Sequence, residues 1–195
     1  MAYEIELKAR VEENELDKVK SSILALPGVK ELGNTSKFDI YWSHTEDGDP
    51  IFRTRREMTE NGPDILFTAK PSKTKSEKGT EENHELEFNC PDSQWDRVLA
   101  FWSGIGFQVC RLKWKKGTGY RVMIDGFDIH IELLNIRFLG WYLEMEICPE
   151  TMDGFDVEAA DKVLRKVLAL CNISEDAVEA RGYNKMLKEI GKDRG

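Results

Sequence analysis

The sequence predicts an α+β fold in which eight or nine mostly antiparallel strands close into a barrel with a charged lumen and helices packed outside. Three observations carry that expectation. Strand-like segments repeatedly put charge on one face and apolar side chains on the other, as in Tyr3-Glu4-Ile5-Glu6-Leu7-Lys8-Ala9-Arg10-Val11; alternate side chains of a strand leave on the same side. Hairpin-length turns join most of these segments, which makes the sheet largely antiparallel. Amphipathic helices recur between them and could cover outward-facing apolar surfaces. An open sheet, showing its charged face to water, is the alternative on the residues alone.

The 195 residues are read as one domain, 1–195, with a sizeable core. A net charge of −8 argues against nucleic acid as the main partner, since a phosphate backbone needs a basic face. No early apolar run resembles a signal peptide and none reaches bilayer-spanning length, so a cytoplasmic protein without membrane attachment is expected. Cys90, Cys110, Cys148 and Cys171 are scattered without a Cys-x-x-Cys pair, and are read as reduced thiols.

Taken in order, the first strand (3–11) leads to a helix near 14–26, with Leu16, Val19, Ile23 and Leu26 on one stripe and a stop at Pro27-Gly28. Strands follow at Lys37–Trp42, Ile51–Arg55 and Ile65–Lys70, with turns at Asp47–Pro50 and Asn61-Gly62-Pro63. Residues 71–82 hold almost nothing apolar and are expected to form a mobile loop. Asn83–Phe88 is a strand, and the next helix starts at Asp92, expected to bury Trp95, Val98, Leu99, Trp102 and Ile105. Strands at Val109–Lys115, Tyr120–Asp125 and Phe127–Leu134 are separated by turns at Gly117-Thr118-Gly119 and Gly126. A strand at 141–147, a helix from Asp156 to Cys171 and a short helix from Tyr183 to Ile190 complete the chain.

The charged faces collect acids at Glu4, Glu6, Glu85, Glu87, Glu132, Glu144 and Glu146. They collect bases at Lys8, Arg10, Arg53, Arg55, Lys70, Arg111, Lys113 and Lys115. One Glu-x-Glu-x-Lys strand is most often a solvated face, and Arg-Thr-Arg alone is often an edge surface. The joint occurrence on several strands points elsewhere. Carboxylates pressed together take up protons or bind cations, and oxygen-rich sites suit hard divalent ions such as Mg²⁺ or Mn²⁺. Arginine and lysine suit phosphate oxygens. A polyanion gripped by the bases and bridged through metal to the acids is an arrangement for phosphoryl transfer. His44, His84 and His130 are isolated, with no zinc spacing. No nucleophile elbow or Gly-x-x-x-x-Gly-Lys-Ser/Thr loop is present.

In their order, the segments resemble the CYTH superfamily, also called triphosphate tunnel metalloenzymes. The resemblance is carried by Glu4, Glu6 and Lys8, then Asp39 and Tyr41, Arg53 and Arg55, Thr68 and Lys70, Glu85 and Glu87, Lys113 and Lys115, and Leu139-Gly140-Trp141-Tyr142-Leu143-Glu144-Met145-Glu146. It covers residues 3 to 147, and Tyr183 matches a tyrosine of the family's C-terminal helix. Three positions depart from the family pattern: Lys115 stands for an arginine, Asn83 for an arginine, and Glu132 for an aspartate. The resemblance implies an eight-stranded antiparallel tunnel holding a triphosphate. Metal ligands would be Glu4, Glu6, Glu144 and Glu146, and phosphate would be gripped by Lys8, Arg53, Arg55, Lys70, Lys113 and Lys115. Glu85, Glu87, Glu132 and Lys8 would serve the chemistry. The activity implied first is that of the class IV adenylyl cyclase branch, converting ATP to cyclic AMP and pyrophosphate. Triphosphate hydrolysis is the alternative, and binding of a polyphosphate or nucleotide without turnover is the third. The partner implied is a triphosphate-bearing small molecule; a homodimer is left open.

Overall fold

A computed structural model describes residues 2–59, 62–76 and 79–194. Its eight strands are β1 (Ala2–Val11), β2 (Lys30–Ser43), β3 (Phe52–Thr59), β4 (Gly62–Lys75), β5 (Glu81–Pro91), β6 (Gln108–Ile124), β7 (Phe127–Ile136) and β8 (Gly140–Ile147). They form a closed barrel in the order β1-β5-β4-β3-β2-β6-β7-β8, every neighbouring pair antiparallel. The helices are α1 (Leu16–Leu24), α2 (Trp95–Gly104), α3 (Val157–Leu170) and α4 (Tyr183–Glu189). No helix among the described residues is long and apolar enough to cross a membrane.

The barrel is inside-out relative to a small barrel with an apolar filling. Ile5, Leu7 and Ala9 of β1 and Leu143 and Met145 of β8 are fully buried, but on the outer wall. They pack with Ile129 and Ile131 of β7 against Val19 and Ile23 of α1 and Ala160, Leu164, Val167 and Leu168 of α3. Each large aliphatic side chain removed from water here contributes roughly 1.5–3 kcal/mol. Asp156 caps α3, its carboxylate accepting from the Ala159 N–H at 2.9 Å. The core therefore lies between wall and helices, and the opposite parity of each strand is left to line the lumen.

Helix α2 departs from expectation. None of its residues is buried, and Ile105, just past its end, is 55% exposed. Trp102 instead leans on Phe52, Phe67 and Phe107 at ring-centroid distances of 4.6, 6.1 and 6.1 Å, so contact is aromatic and made by one edge of the helix. The expected loop at 71–82 is also corrected. β4 runs on to Lys75 and β5 starts at Glu81; ladder pairing with each other, not apolar content, holds these polar ends in strand. Residues 77 and 78 of that stretch, and Asn61 of the expected turn, lie outside the described residues.

The turn expected at Gly117-Thr118-Gly119 is absent, and β6 passes straight through as one strand. Glycine serves close approach here rather than a turn. A Cβ at Gly117 would collide with the Leu133 backbone carbonyl oxygen, which has no freedom to retreat within the β6–β7 ladder. Gly117→Ala is therefore expected to destabilise by more than about 2 kcal/mol, read from the urea unfolding midpoint. Gly104→Ala, which meets nothing within 4 Å, should cost less.

Candidate active site

Closure brings all thirteen expected site residues onto one cavity of about 510 Å³: Glu4, Glu6, Lys8, Arg53, Arg55, Lys70, Glu85, Glu87, Lys113, Lys115, Glu132, Glu144 and Glu146. Register places them. Glu6 lies opposite Glu146 and Lys8 opposite Glu144 across the β1–β8 ladder. Asp39 lies between Arg55 and Lys113 on the two strands flanking β2. Two bases expected on this face are not in the cavity. Arg10 is exposed, its guanidinium donating to the Tyr142 hydroxyl at 2.7 Å. Arg111 is buried but turned to Asp193 at 2.8 Å. Both lie toward one end of their strands, where the C-terminal segment crosses the barrel: the Glu179 N–H donates to the Lys8 carbonyl and the Leu112 N–H to the Asp193 carbonyl.

The basic wall is built on Asp39, which has no solvent exposure. The Arg55 guanidinium donates to both its oxygens, at 2.6 and 3.2 Å. Lys113 Nζ stands 3.2 Å away and Arg53 4.0 Å away. Burial alone would raise the Asp39 carboxyl, but Arg55, Lys113 and Arg53 hold it well below the ordinary carboxylate range. Lys113 also donates to the Tyr41 hydroxyl at 2.6 Å. Burial lowers Lys113, with Lys115 and Arg53 acting the same way against Tyr41 and Asp39. Arg53 donates to Thr68 Oγ1 at 2.8 Å, which donates on to Glu87 at 2.8 Å.

The acidic wall is polarised. Burial raises Glu4 to about 7; Lys70 opposes this, while Glu146 and Glu85 add to it. Burial and the adjacent Glu144 raise Glu6. On β8 the balance reverses. Burial would raise Glu144, but Lys115, at 2.8 and 2.9 Å from its two oxygens, pulls it well below. Glu146 is lowered by His130, whose Nδ1 lies 2.7 Å from its Oε1, despite burial. Lys37 meets Glu132 at 2.7 Å, Lys8 meets Glu81 at 3.3 Å, and Lys70 meets Glu4 at 3.3 Å and also contacts Glu85.

Several lining residues were not expected as site members: Lys37, Tyr41, Glu57, Glu81, His130, Cys148 and the α4 residues Tyr183 and Asn184. Strand parity carried most of that signal, because Lys37 alternates with Asp39, Glu57 with Arg55, His130 with Glu132, and Cys148 with Glu146. Glu81 was hidden by the loop reading. Tyr183 comes from a helix, where parity says nothing; its ring lies 4.9–5.6 Å from the Nζ atoms of Lys8, Lys113 and Lys115. All four cysteines are free thiols.

The donor set fits a hard divalent cation. Glu4, Glu6, Glu144 and Glu146 offer only oxygen, and the raised Glu4 and Glu6 are groups whose charge a cation would stabilise. Among the described residues no three such side chains already converge at ligand spacing. Glu144 and Glu146 are turned to Lys115 and His130.

No protein-family model matches the chain, and no curated protein matches it. Solved structures do. A protein of Pyrococcus horikoshii OT3 is 22% identical, with a TM-score of 0.75 over 96% of this chain and 99% of that one. A candidate adenylate cyclase of Vibrio parahaemolyticus is 17% identical, with a TM-score of 0.68 over 95% and 98%. HpAC1 of Hippeastrum, a candidate adenylyl cyclase described as having a dominant triphosphatase activity, is 14% identical, with a TM-score of 0.66 over 98% and 97%. The chain shares their fold, a closed eight-stranded antiparallel barrel. At these identities the likeness establishes the tunnel architecture and leaves the reaction to the residues of the lumen.

Two outcomes follow from the tunnel's charge network. Asp39→Asn leaves Arg55 and Lys113 buried without their countercharge, and should cost about 3–5 kcal/mol in chemical denaturation. Glu4 binds a proton more tightly folded, at about 7, than at its ordinary value of 4.5. The folded state thus holds more protons than the unfolded state in that window, and stability falls as pH rises through it. Glu6 and His130 are raised and act in the same direction. The melting temperature of chelator-treated protein should fall between about pH 5 and about pH 7.5, and Glu4→Gln should flatten the fall. A profile that rises over this range would contradict the assignment.

Proposed function

We propose that the tunnel is the active site of a divalent-metal-dependent enzyme acting on a triphosphate, of the CYTH, or triphosphate tunnel metalloenzyme, kind. The observation that supports it is the division of one enclosed lumen into a carboxylate wall on β1, β5 and β8 and a cationic wall on β2, β3 and β6. A solvated surface would not need such sorting, and a simple anion-binding pocket would not need the acids. On this reading Glu4, Glu6, Glu144 and Glu146 hold Mg²⁺ or Mn²⁺. Lys8, Arg53, Arg55, Lys70, Lys113 and Lys115 grip phosphate oxygens, the arginines in forked contacts. Bound there, the cation supplies charge neutralisation at the reacting phosphate. Glu85, Glu87 and Glu132 orient the attacking group and accept its proton, and Lys8 positions the phosphate that is attacked.

The first reading of the reaction is adenylyl cyclisation, in which the ribose 3′-oxygen attacks the α-phosphorus and pyrophosphate leaves. It is favoured by a recess of about 170 Å³ that shares Tyr41, Arg53 and Lys70 with the lumen and adds Pro50, Ile51 and Phe52. These apolar groups suit a ring carried by the phosphate chain and serve no purpose for inorganic tripolyphosphate. The second reading is hydrolysis, with water attacking the terminal phosphorus; it is favoured by the triphosphatase activity of the Hippeastrum protein with the same fold.

Incubation with ATP, tripolyphosphate and thiamine triphosphate, each with Mg²⁺ or Mn²⁺, decides between them. Cyclic AMP plus pyrophosphate from ATP is expected, and orthophosphate release selects hydrolysis. No turnover of any of the three, with triphosphate binding retained, would leave only a binding protein. Glu144→Gln and Lys70→Ala are each expected to lower turnover by at least about a hundredfold with an unchanged circular dichroism spectrum. Full activity in both variants would remove the site assignment.

A further inference from the structure

A second cationic cluster lies outside the lumen, beside the turn between β7 and β8, and its cations Arg137, Lys116 and Lys192 have no part in the tunnel reading. The Leu139 N–H closes that turn onto the Ile136 carbonyl at 2.9 Å. Phe138 within it has φ 72°, a left-handed conformation disfavoured for a bulky side chain. The Arg137 guanidinium carbon lies 4.7 Å from the Phe138 ring centroid and 4.8 Å from that of Trp114. Phe38 stacks on Trp114 at 4.6 Å and steadies it. Contact with two rings restricts the guanidinium without using up its N–H donors.

Among the described residues those donors meet no acceptor. Eight of the eleven arginines meet a carboxylate within 4.0 Å, as expected in a chain of net charge −8. Among the described residues Arg137 makes no side-chain hydrogen bond or ion pair, and neither does Lys116 or Lys192. Arg137 and Lys116 line one cavity of about 380 Å³ with Ser36, Trp114, Lys115, Asn135 and Phe138. Lys192 Nζ stands 5.5 Å from the Phe138 ring. We propose that this pocket is a binding site for a phosphate group, taken in a forked contact by Arg137 and neutralised by Lys116 and Lys192. It backs onto the tunnel and shares one lining residue with it: Lys115, between Trp114 and Lys116 in sequence, lines both cavities, and its ammonium pairs with Glu144 in the lumen.

The test follows the Trp114 indole N–H resonance, assigned by its loss in Trp114→Phe, in ¹⁵N-labelled protein. The full chain is titrated with inorganic phosphate at constant ionic strength in the presence of chelator. A saturable shift is expected in wild type and in Lys70→Ala. Its midpoint should move at least about tenfold higher in Arg137→Ala and also in Arg137→Lys, which keeps the charge and loses the fork. Arg137 is exposed, so the rest of the spectrum should stay unchanged in both. A linear or absent response in wild type, an unchanged midpoint in Arg137→Lys, or loss of the shift in Lys70→Ala would overturn the proposal.

Discussion

Closing the sheet puts the charged parity of eight strands into one enclosed space, and every other feature of the molecule answers to that constraint. Side chains that would be solvated on an open sheet must here neutralise one another. Asp39 is the clearest case. Fully buried and surrounded by Arg55, Lys113 and Arg53, it allows three cations to stand on the two strands flanking its own without mutual repulsion dominating. The apolar parity, forced outward, must then find cover. That accounts for α1 and α3 lying on β1, β6, β7 and β8, with the main core between wall and helix and not within the barrel.

The two walls are not equally settled. On the basic wall the central charge is permanent, since Asp39 is held ionised by its partners. On the acidic wall, β8 carries carboxylates stabilised by Lys115 and His130, while β1 carries carboxyls that burial pushes toward protonation. The β1 side therefore holds charge capacity that the protein alone does not fully use at neutral pH. A divalent cation beside Glu4 and Glu6 would displace protons from these groups, so affinity for such an ion should rise with pH as they deprotonate.

Much of this was legible because a strand's period is two residues. Once Glu6, Arg55, Lys113 and Glu146 are set on the same parity as their neighbours, closure of the sheet suffices to bring them together. What was not legible depended on tertiary pairing. Gly117 reads as a turn signal until the β7 backbone crowding it is known. The polar ends of β4 and β5 read as loop until each is seen to hydrogen-bond the other. Arg10 and Arg111 have the right parity, but parity gives no position along the barrel axis, and the C-terminal segment claims the end where they lie. The amphipathic pattern of α2 named the side facing the barrel without revealing that this side is only half-covered, with Trp102 resting on Phe52.

The same network sets a condition on any substrate. Lys115 with Glu144, Lys70 with Glu4 and Glu85, Lys8 with Glu81, and Lys37 with Glu132 satisfy one another within the lumen. A triphosphate arriving alone takes the lysines and leaves buried carboxylates uncompensated; a metal arriving alone takes the carboxylates and leaves the lysines uncompensated. Either step carries the penalty of a broken buried pair. Arriving together, anion and cation exchange partners with the wall, and each freed group gains a new one. Under the proposed reading, binding of the two is therefore positively coupled. By linkage the coupling is reciprocal: metal tightens triphosphate by the same factor as triphosphate tightens metal.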